Sequence, residues 1–285
     1  MGEHGEYYGR HELDGERLAD VPGQHPGGRG AKPRRQARAP SRLVFRVLPC
    51  LQTARTCGDA GGYAMTPKIT TFFDVDNTLL DNDAVQADLS RHLESEFGVA
   101  SRDRYWAIFE SLRRELGYAD YLGALQRYRL ENLDDPQLLR VSSFLVDYPF
   151  ASRLYPKALE AIAHCNQWGP TVILSDGDVV FQPRKIQRSG IWDAVEGRVL
   201  IYLHKEQMLE SVARRYPSER YVMVDDKVRI LAAMKRTWGG KLTTIFPRQG
   251  HYALDPVELA AYPPADTTIE RIGDLVDREL PPSEP

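Results

Sequence analysis

Long hydrophobic runs are missing from this sequence of 285 residues. Apolar stretches such as those around Leu43–Phe45, Ser143–Val146 and Thr171–Leu174 fall far short of the roughly 18 residues that a membrane-crossing helix needs. No membrane partner is expected on that ground. Cysteine is scarce as well. Cys50, Cys57 and Cys165 are too few and too scattered for a disulfide framework or a zinc site of four thiolates. Nor is one sign of charge in excess: 37 Lys and Arg stand against 40 Asp and Glu, a net charge of −3. That balance argues against a general nucleic-acid binder.

The composition is uneven. Residues 1–65 hold 11 of the 22 glycines, few aliphatic residues and turn-rich runs such as Pro26-Gly27-Gly28. Such a segment cannot bury enough apolar surface to offset its ordering entropy, so it reads as a disordered tail. Its run from 29 to 46 carries seven positive charges and no acid, a weak hint of contact with nucleic acid or an anionic surface. Early acids, Glu3, Glu6, Glu12, Asp14 and Glu16, fit neither a secretory signal nor a mitochondrial presequence. Met65, just before the first well-formed strand, reads as a plausible true start, with the upstream segment an over-extension.

From Lys68 onward strands and helices alternate. Ile69–Val75, Thr171–Leu174, Arg198–Tyr202, Tyr221–Val224 and Leu242–Phe246 are rich in β-branched and apolar residues, as buried strands require. Helical patterns lie between them: from Pro156 as the first helical residue to Gly169, over Lys205–Tyr216, and over Lys227–Trp238. This order predicts an α/β fold, a three-layer Rossmann-like core with a parallel sheet and helices on both faces. About 90 residues separate Leu80 from Thr171, too many for a simple crossover. Val85, Leu89, Leu93 and Phe97 recur every four residues. Ser101 can cap a second helix holding Tyr105, Phe109, Leu112 and Leu116, and Tyr118–Leu130 and Pro136–Val146 supply two more. The predicted division is therefore a tail over 1–65, a core over 66–81 and 151–285, and a helical insertion over 82–150. Ligands bind at the carboxyl ends of such strands, where the insertion would cover them.

Those strand ends carry the acids. Asp74 and Asp76 follow the first strand in Phe72-Phe73-Asp74-Val75-Asp76-Asn77-Thr78-Leu79-Leu80, and Asp225-Asp226 follow the fourth. At about 4 Å and an effective dielectric near 20, a like-charge pair repels by roughly 4 kcal/mol. A bound Mg²⁺ would remove that cost, since carboxylates and carbonyls are its preferred ligands. Ser175 ends another strand in Ile173-Leu174-Ser175-Asp176-Gly177, where a hydroxyl and free N–H groups suit a phosphate, and Lys205 follows the third strand.

The Asp74–Leu80 stretch resembles the first signature of the haloacid dehalogenase superfamily, Asp-x-Asp-x-Thr-Leu after a hydrophobic strand. Ser175, Lys205 and Asp225-Asp226 are similar to its second, third and fourth motifs, in order, and the helical insertion resembles the family's cap. The resemblance covers roughly residues 68–280. It implies Asp74 as nucleophile at phosphorus, forming an aspartyl-phosphate, and Asp76 as general acid and then general base. It further implies Mg²⁺ held by Asp74, the Asp76 carbonyl and Asp226, with Asp225 acting directly or through water. Thr78, Ser175, Asp176 and Lys205 would form the substrate site, Thr78 steadying the loop, Ser175 and the Asp176 N–H holding the phosphoryl oxygens and Lys205 balancing their charge. Family dehalogenases lack an acid at the position of Asp76, because halide leaves unprotonated. An acid there therefore favours a phosphatase of a small phosphomonoester, a cytoplasmic enzyme. A phosphomutase or other phosphotransferase of the superfamily, or a non-catalytic phospho-ligand binder, stands as the alternative. Arg113, Arg114, Tyr118, Tyr121, Arg127 and Tyr128 of the cap, with Arg248 and His251 after the fifth core strand, are the candidate specificity residues.

Overall fold

The computed structural model describes residues 67–279. The expectations for residues 1–65, including the basic run 29–46, Met65, Cys50 and Cys57, lie outside the described residues. Among the described residues no helix is long and apolar enough to cross a membrane.

Six strands form one sheet: β1 (Ile69–Phe73), β2 (Thr171–Asp176), β3 (Val199–Tyr202), β4 (Arg220–Val224), β5 (Leu242–Pro247) and β6 (Thr267–Ile269). All pair in parallel, in the order β3-β2-β1-β4-β5-β6. The chain builds outward from β1 through β2 to β3, then returns to β1's other side with β4. The strand order therefore reverses beside β1, where an open α/β sheet offers a crevice to ligands.

Side-chain alternation explains the layering. Phe73, Ile173, Val222 and Val224 point to one face of the sheet; Phe72, Val172, Leu174 and Met223 point to the other. Helices take up the returns of the chain, first α5 (Ala158–Cys165), α6 (Phe181–Arg188), α7 (Ile191–Ala194) and α8 (Leu209–Arg215). The last three are α9 (Val228–Trp238), α10 (Gly250–Leu254) and α11 (Pro256–Ala261). Ala158, Ile162, Ile186 and Ile191 pack on the first face, Val212, Ile230, Leu231 and Met234 on the second. Full burial of a Phe or Ile in these layers contributes about 1.5–3 kcal/mol. Cys165 is a free buried thiol, pushed up to about 12 by burial.

Between β1 and β2 run α1 (Asn82–Phe97), α2 (Val99–Leu116), α3 (Tyr121–Glu131) and α4 (Leu138–Asp147). Val85, Leu89 and Leu93 of α1 join Tyr105, Phe109 and Leu112 of α2, Tyr121 and Leu125 of α3, and Val141 and Leu145 of α4 in one apolar interior. The insertion leaves and re-enters the core at neighbouring points. The Asp81 N–H donates to the Arg153 carbonyl at 2.8 Å, and Leu80 bridges Leu154 in antiparallel sense.

Local details differ from the sequence expectations. Ser101 does not cap α2. Gly98, at φ 84°, ends α1 and lets α2 begin at Val99. Pro156 is not the first residue of α5; it occupies the second position of a turn closed by Ala158 N–H to the Tyr155 carbonyl at 3.1 Å. Lys157, at φ 61°, supplies the positive φ that follows Pro in a type II turn. Lys205–Tyr216 divides into a 3-10 turn, Lys205–Gln207, and α8.

Gly169 fixes how closely α5 returns to the sheet. A Cβ built there would stand 2.0 Å from the Ile69 carbonyl oxygen, which is backbone and cannot give way. Gly169→Ala should lower stability by at least about 1–3 kcal/mol, the usual cost of overpacking. Urea denaturation monitored by circular dichroism reads this directly. An unchanged midpoint would show that the segment shifts freely.

Candidate active site

Strand β1 ends in a tight turn that presents both acids. The Val75 carbonyl accepts from the N–H groups of Leu79 and Leu80 at 2.9 and 3.0 Å. Asn77 sits at φ 60°, a conformation Asn tolerates better than most residues. Its side-chain oxygen accepts from the Asn82 and Asp83 N–H groups at 3.0 and 3.2 Å, tying the turn to the start of α1. The Thr78 hydroxyl accepts from the Asp226 N–H at 3.0 Å, tying it to the end of β4. Thr78 is fully buried in this role. It steadies the loop, as expected, by bracing it against the loop after β4.

Asp74, Asp225 and Asp226 meet at the point where the strand order reverses. Each offers one carboxylate oxygen within 4.8 Å of the others, and the most exposed of the three, Asp74, is 2% exposed. The Lys205 ammonium, 1% exposed, lies 2.5 Å from Asp74 Oδ1 and 2.7 Å from Asp225 Oδ2, and donates to the Leu174 carbonyl at 3.3 Å. Ser175 Oγ donates to Asp74 Oδ1 at 3.3 Å. Asp176, one residue on, accepts the Lys205 N–H at 2.7 Å and so fixes the start of that lysine's turn. Asp178 accepts from the N–H groups of Val180 and Phe181 ahead of α6.

The three acids do not share one electrostatic fate. Burial alone would raise Asp74, but Lys205 and Lys227 outweigh it and hold that carboxyl below its ordinary value. Burial pushes Asp225 up to about 6 against the pull of Lys205, and carries Asp226 well above the usual range against Lys227. Burial also works against the Lys205 charge, yet Asp225, Asp74 and Asp176 hold its ammonium well above the ordinary lysine value.

Asp74 Oδ2 and both oxygens of Asp226 are buried with no hydrogen-bond partner. Buried carboxylate oxygens are costly when left so. An octahedral cation with bonds of about 2.1 Å holds oxygens about 3 to 4.2 Å apart, close to this spacing, and Mg²⁺ prefers oxygen donors. Around the strand ends Asp74, Asp76, Asp176, Asp225 and Asp226 meet Lys185, Lys205 and Lys227, a formal surplus of two negative charges that one divalent cation balances. The residues present therefore fit such an ion.

A cavity of about 390 Å³ opens beside the cluster, between the sheet edge and the inserted helices. Asp76, Asp176, Gln182 and Lys227 form its floor, and Arg113, Arg114, Tyr118 and Tyr121 come from the insertion. Two contacts from the segment after β5 hold the insertion over it. His251 Nδ1 and N–H lie 2.6 and 2.9 Å from the Asp83 carboxylate, and Arg113 donates to the Tyr252 hydroxyl at 2.5 Å.

Comparison with known proteins was decisive for the family. The sequence profile of the haloacid dehalogenase-like hydrolases matches residues 70–236. The chain belongs to that family. A haloacid dehalogenase-like hydrolase from Burkholderia xenovorans LB400, known from its crystal structure, is 68% identical, over 75% of this chain and 100% of its own, with a TM-score of 0.73. The hydrolase YfnB from Bacillus subtilis, crystallised with magnesium, is 16% identical over 74% of this chain and 98% of its own, with a TM-score of 0.51. An L-2-haloacid dehalogenase is 20% identical over 74% of this chain and 98% of its own, with a TM-score of 0.55. These last two likenesses are of fold. No curated protein matches the sequence.

In this haloacid dehalogenase-like hydrolase, the candidates Asp74, Ser175, Lys205, Asp225 and Asp226 lie together, and Asp76 and Asp176 line the adjoining cavity. Other candidates lie elsewhere. Arg127 pairs with Glu115 on the exterior, Tyr128 is buried within the cap, and Arg248 pairs with Glu270. Three site residues have no counterpart among the sequence candidates: Gln182, Lys185 and Lys227. Lys227 follows the acid pair directly, and that adjacency is the one sequence signal by which it could be found.

Proposed function

We propose that this hydrolase is a Mg²⁺-dependent phosphatase of small phosphomonoesters. The observation that carries the reading is Asp76, a carboxylate that lines the cavity two residues beyond the buried Asp74. Displacement at a halogenated carbon needs no proton donor at that place; expulsion of an alkoxide does. Asp74 attacks phosphorus, the bond from phosphorus to the leaving oxygen breaks, and Asp76 delivers the proton to that oxygen. Water then attacks the aspartyl-phosphate as Asp76 takes its proton, releasing inorganic phosphate and restoring Asp74. Ser175 and the Asp176 N–H hold the phosphoryl oxygens, and Lys205 balances their charge. Asp74, the Asp76 carbonyl and Asp226, with Asp225 close by, would hold a divalent cation, which would supply further neutralisation of the phosphoryl charge. The natural partner in this reading is a small phosphorylated metabolite in the cytoplasm, with neither nucleic acid nor membrane engaged.

The test is a panel of phosphomonoesters assayed for phosphate release with Mg²⁺. Chelation should abolish release and added Mg²⁺ should restore it. Halide release from 2-haloacids without any phosphatase activity would overturn the reading, and activity that survives thorough chelation would remove the metal from it.

A further inference from the structure

Helix α6 brings two polar side chains to Asp76 that the mechanism above does not use. Lys185 is fully buried, and its ammonium donates to Asp76 Oδ1 at 2.6 Å and to Asn82 Oδ1 at 3.1 Å. The rings of Phe181 and Tyr121 stand 5.1 and 6.0 Å from it. Gln182 donates from Nε2 to Ser175 Oγ at 3.0 Å, and the same nitrogen lies 3.4 Å from Asp76 Oδ2. A buried ammonium is costly unless its charge is met, and an aliphatic side chain would fill the same space more cheaply. Asp76 is its one ion-pair partner among the described residues. The lysine is therefore explained by what it does to that carboxylate, since packing alone does not call for a charge.

We propose that Lys185 and Gln182 are positioning residues for Asp76: Lys185 anchors Oδ1, and Oδ2, beside Gln182, is left to exchange a proton with the leaving oxygen and then with water. The assignment rests on the phosphatase reading. It balances without a further reactant, because the proton given by Oδ2 in the first step returns to it from water in the second. Gln182 adds a register, since one amide nitrogen touches the hydroxyl of Ser175 and reaches the acid. The anchor also crosses the boundary between core and cap. Asn82 opens α1, and its Nδ2 donates to the Tyr121 hydroxyl at 3.1 Å. Asp76 is thus seated by a core helix and by two cap residues together. A small misplacement of a catalytic group costs on the order of 10²-fold in rate.

The experiment is a double-mutant cycle read with two substrates, an alkyl phosphomonoester and nitrophenyl phosphate. Lys185→Met should lower kcat about 10²-fold on the alkyl ester, with a much smaller loss in the nitrophenolate burst, because that leaving group needs little acid. In an Asp76→Asn background the same substitution should change kcat by no more than about twofold, as expected when one residue acts through the other. Equal losses in both backgrounds, or on both substrates, would overturn the proposal. Gln182→Leu, which disturbs no buried charge, carries the same cycle if Lys185→Met fails to fold; about a tenfold loss confined to the alkyl ester is expected. If Asp76→Asn removes alkyl-ester hydrolysis while the cycles stay additive, the positioning role falls and the phosphatase reading stands. If the wild-type chain hydrolyses no phosphomonoester, both fall.

Discussion

Asp74→Asn is expected to abolish phosphate release and to leave the fold intact. The change is isosteric, and the amide is a poor nucleophile at phosphorus. It also removes one of three carboxylates that crowd within 4.8 Å of one another, where each like-charge contact costs roughly 4 kcal/mol at 4 Å and moderate dielectric. Lys205 keeps its contact with Asp225 at 2.7 Å, so its buried charge stays paired. Against that relief stands the lost attraction of Lys205 and Lys227, which holds the Asp74 carboxyl below its ordinary value, so the metal-free variant should melt at or somewhat below the wild-type temperature. Turnover near the wild-type rate would remove Asp74 as nucleophile, and the covalent mechanism with it. Asp76→Asn should behave differently, losing about 10²–10⁴-fold through proton transfer. With nitrophenyl phosphate it should accumulate chain labelled on Asp74, visible by mass spectrometry as an added phosphoryl group.

Lys205→Met should cost far more stability. The ammonium is the contact shared by Asp74 and Asp225, and it is itself 1% exposed. Removing one partner from a buried ionic cluster typically costs about 3–5 kcal/mol, because the remaining charges stay buried. For a domain of this size that corresponds to a fall in Tm of about 6–20 °C. Mg²⁺ should recover part of the loss, since a cation on the same oxygens replaces the missing charge. Urea denaturation with and without Mg²⁺ separates the two effects. A midpoint unchanged from wild type would mean that the three acids take up protons and need no partner.

The contrast between these variants follows from residues that the sequence marks clearly. Asp74 and Asp225-Asp226 stand where apolar strands stop, and a charge at that place has no packing role. The stripe Val85, Leu89, Leu93 exposes the first cap helix in the same way, through its period. Helix α6 gives no such signal. Phe-Gln-Pro-Arg-Lys-Ile-Gln-Arg is mostly polar and holds Pro183, tolerated because it lies in the first turn, where no intrahelical N–H is needed. Only Phe181 and Ile186 mark its inner face by hydrophobicity. Gln182 and Lys185 on that face look like solvent-facing residues until the three-dimensional path places them against Asp76. Strand β6 is three residues long, below the length at which alternation can be read. The partner through which Thr78 steadies its loop is likewise invisible locally, since Asp226 lies 148 residues away.

The paired exit and entry of the cap, where Asp81 meets Arg153 and Leu80 meets Leu154, makes the insertion modular. Seen from the sheet, a segment of four helices begins and ends like a hairpin turn. Closing the loop costs the core little whatever its contents, because the free energy of closure grows only with the logarithm of length. A chain in which a few glycines and serines join Asp81 directly to Arg153 should still assemble its six strands, with the acid cluster exposed to solvent. The cap is in this sense a separable stretch of the gene, open to rewriting as long as Asn82 and Tyr121, which help to seat Asp76, are kept.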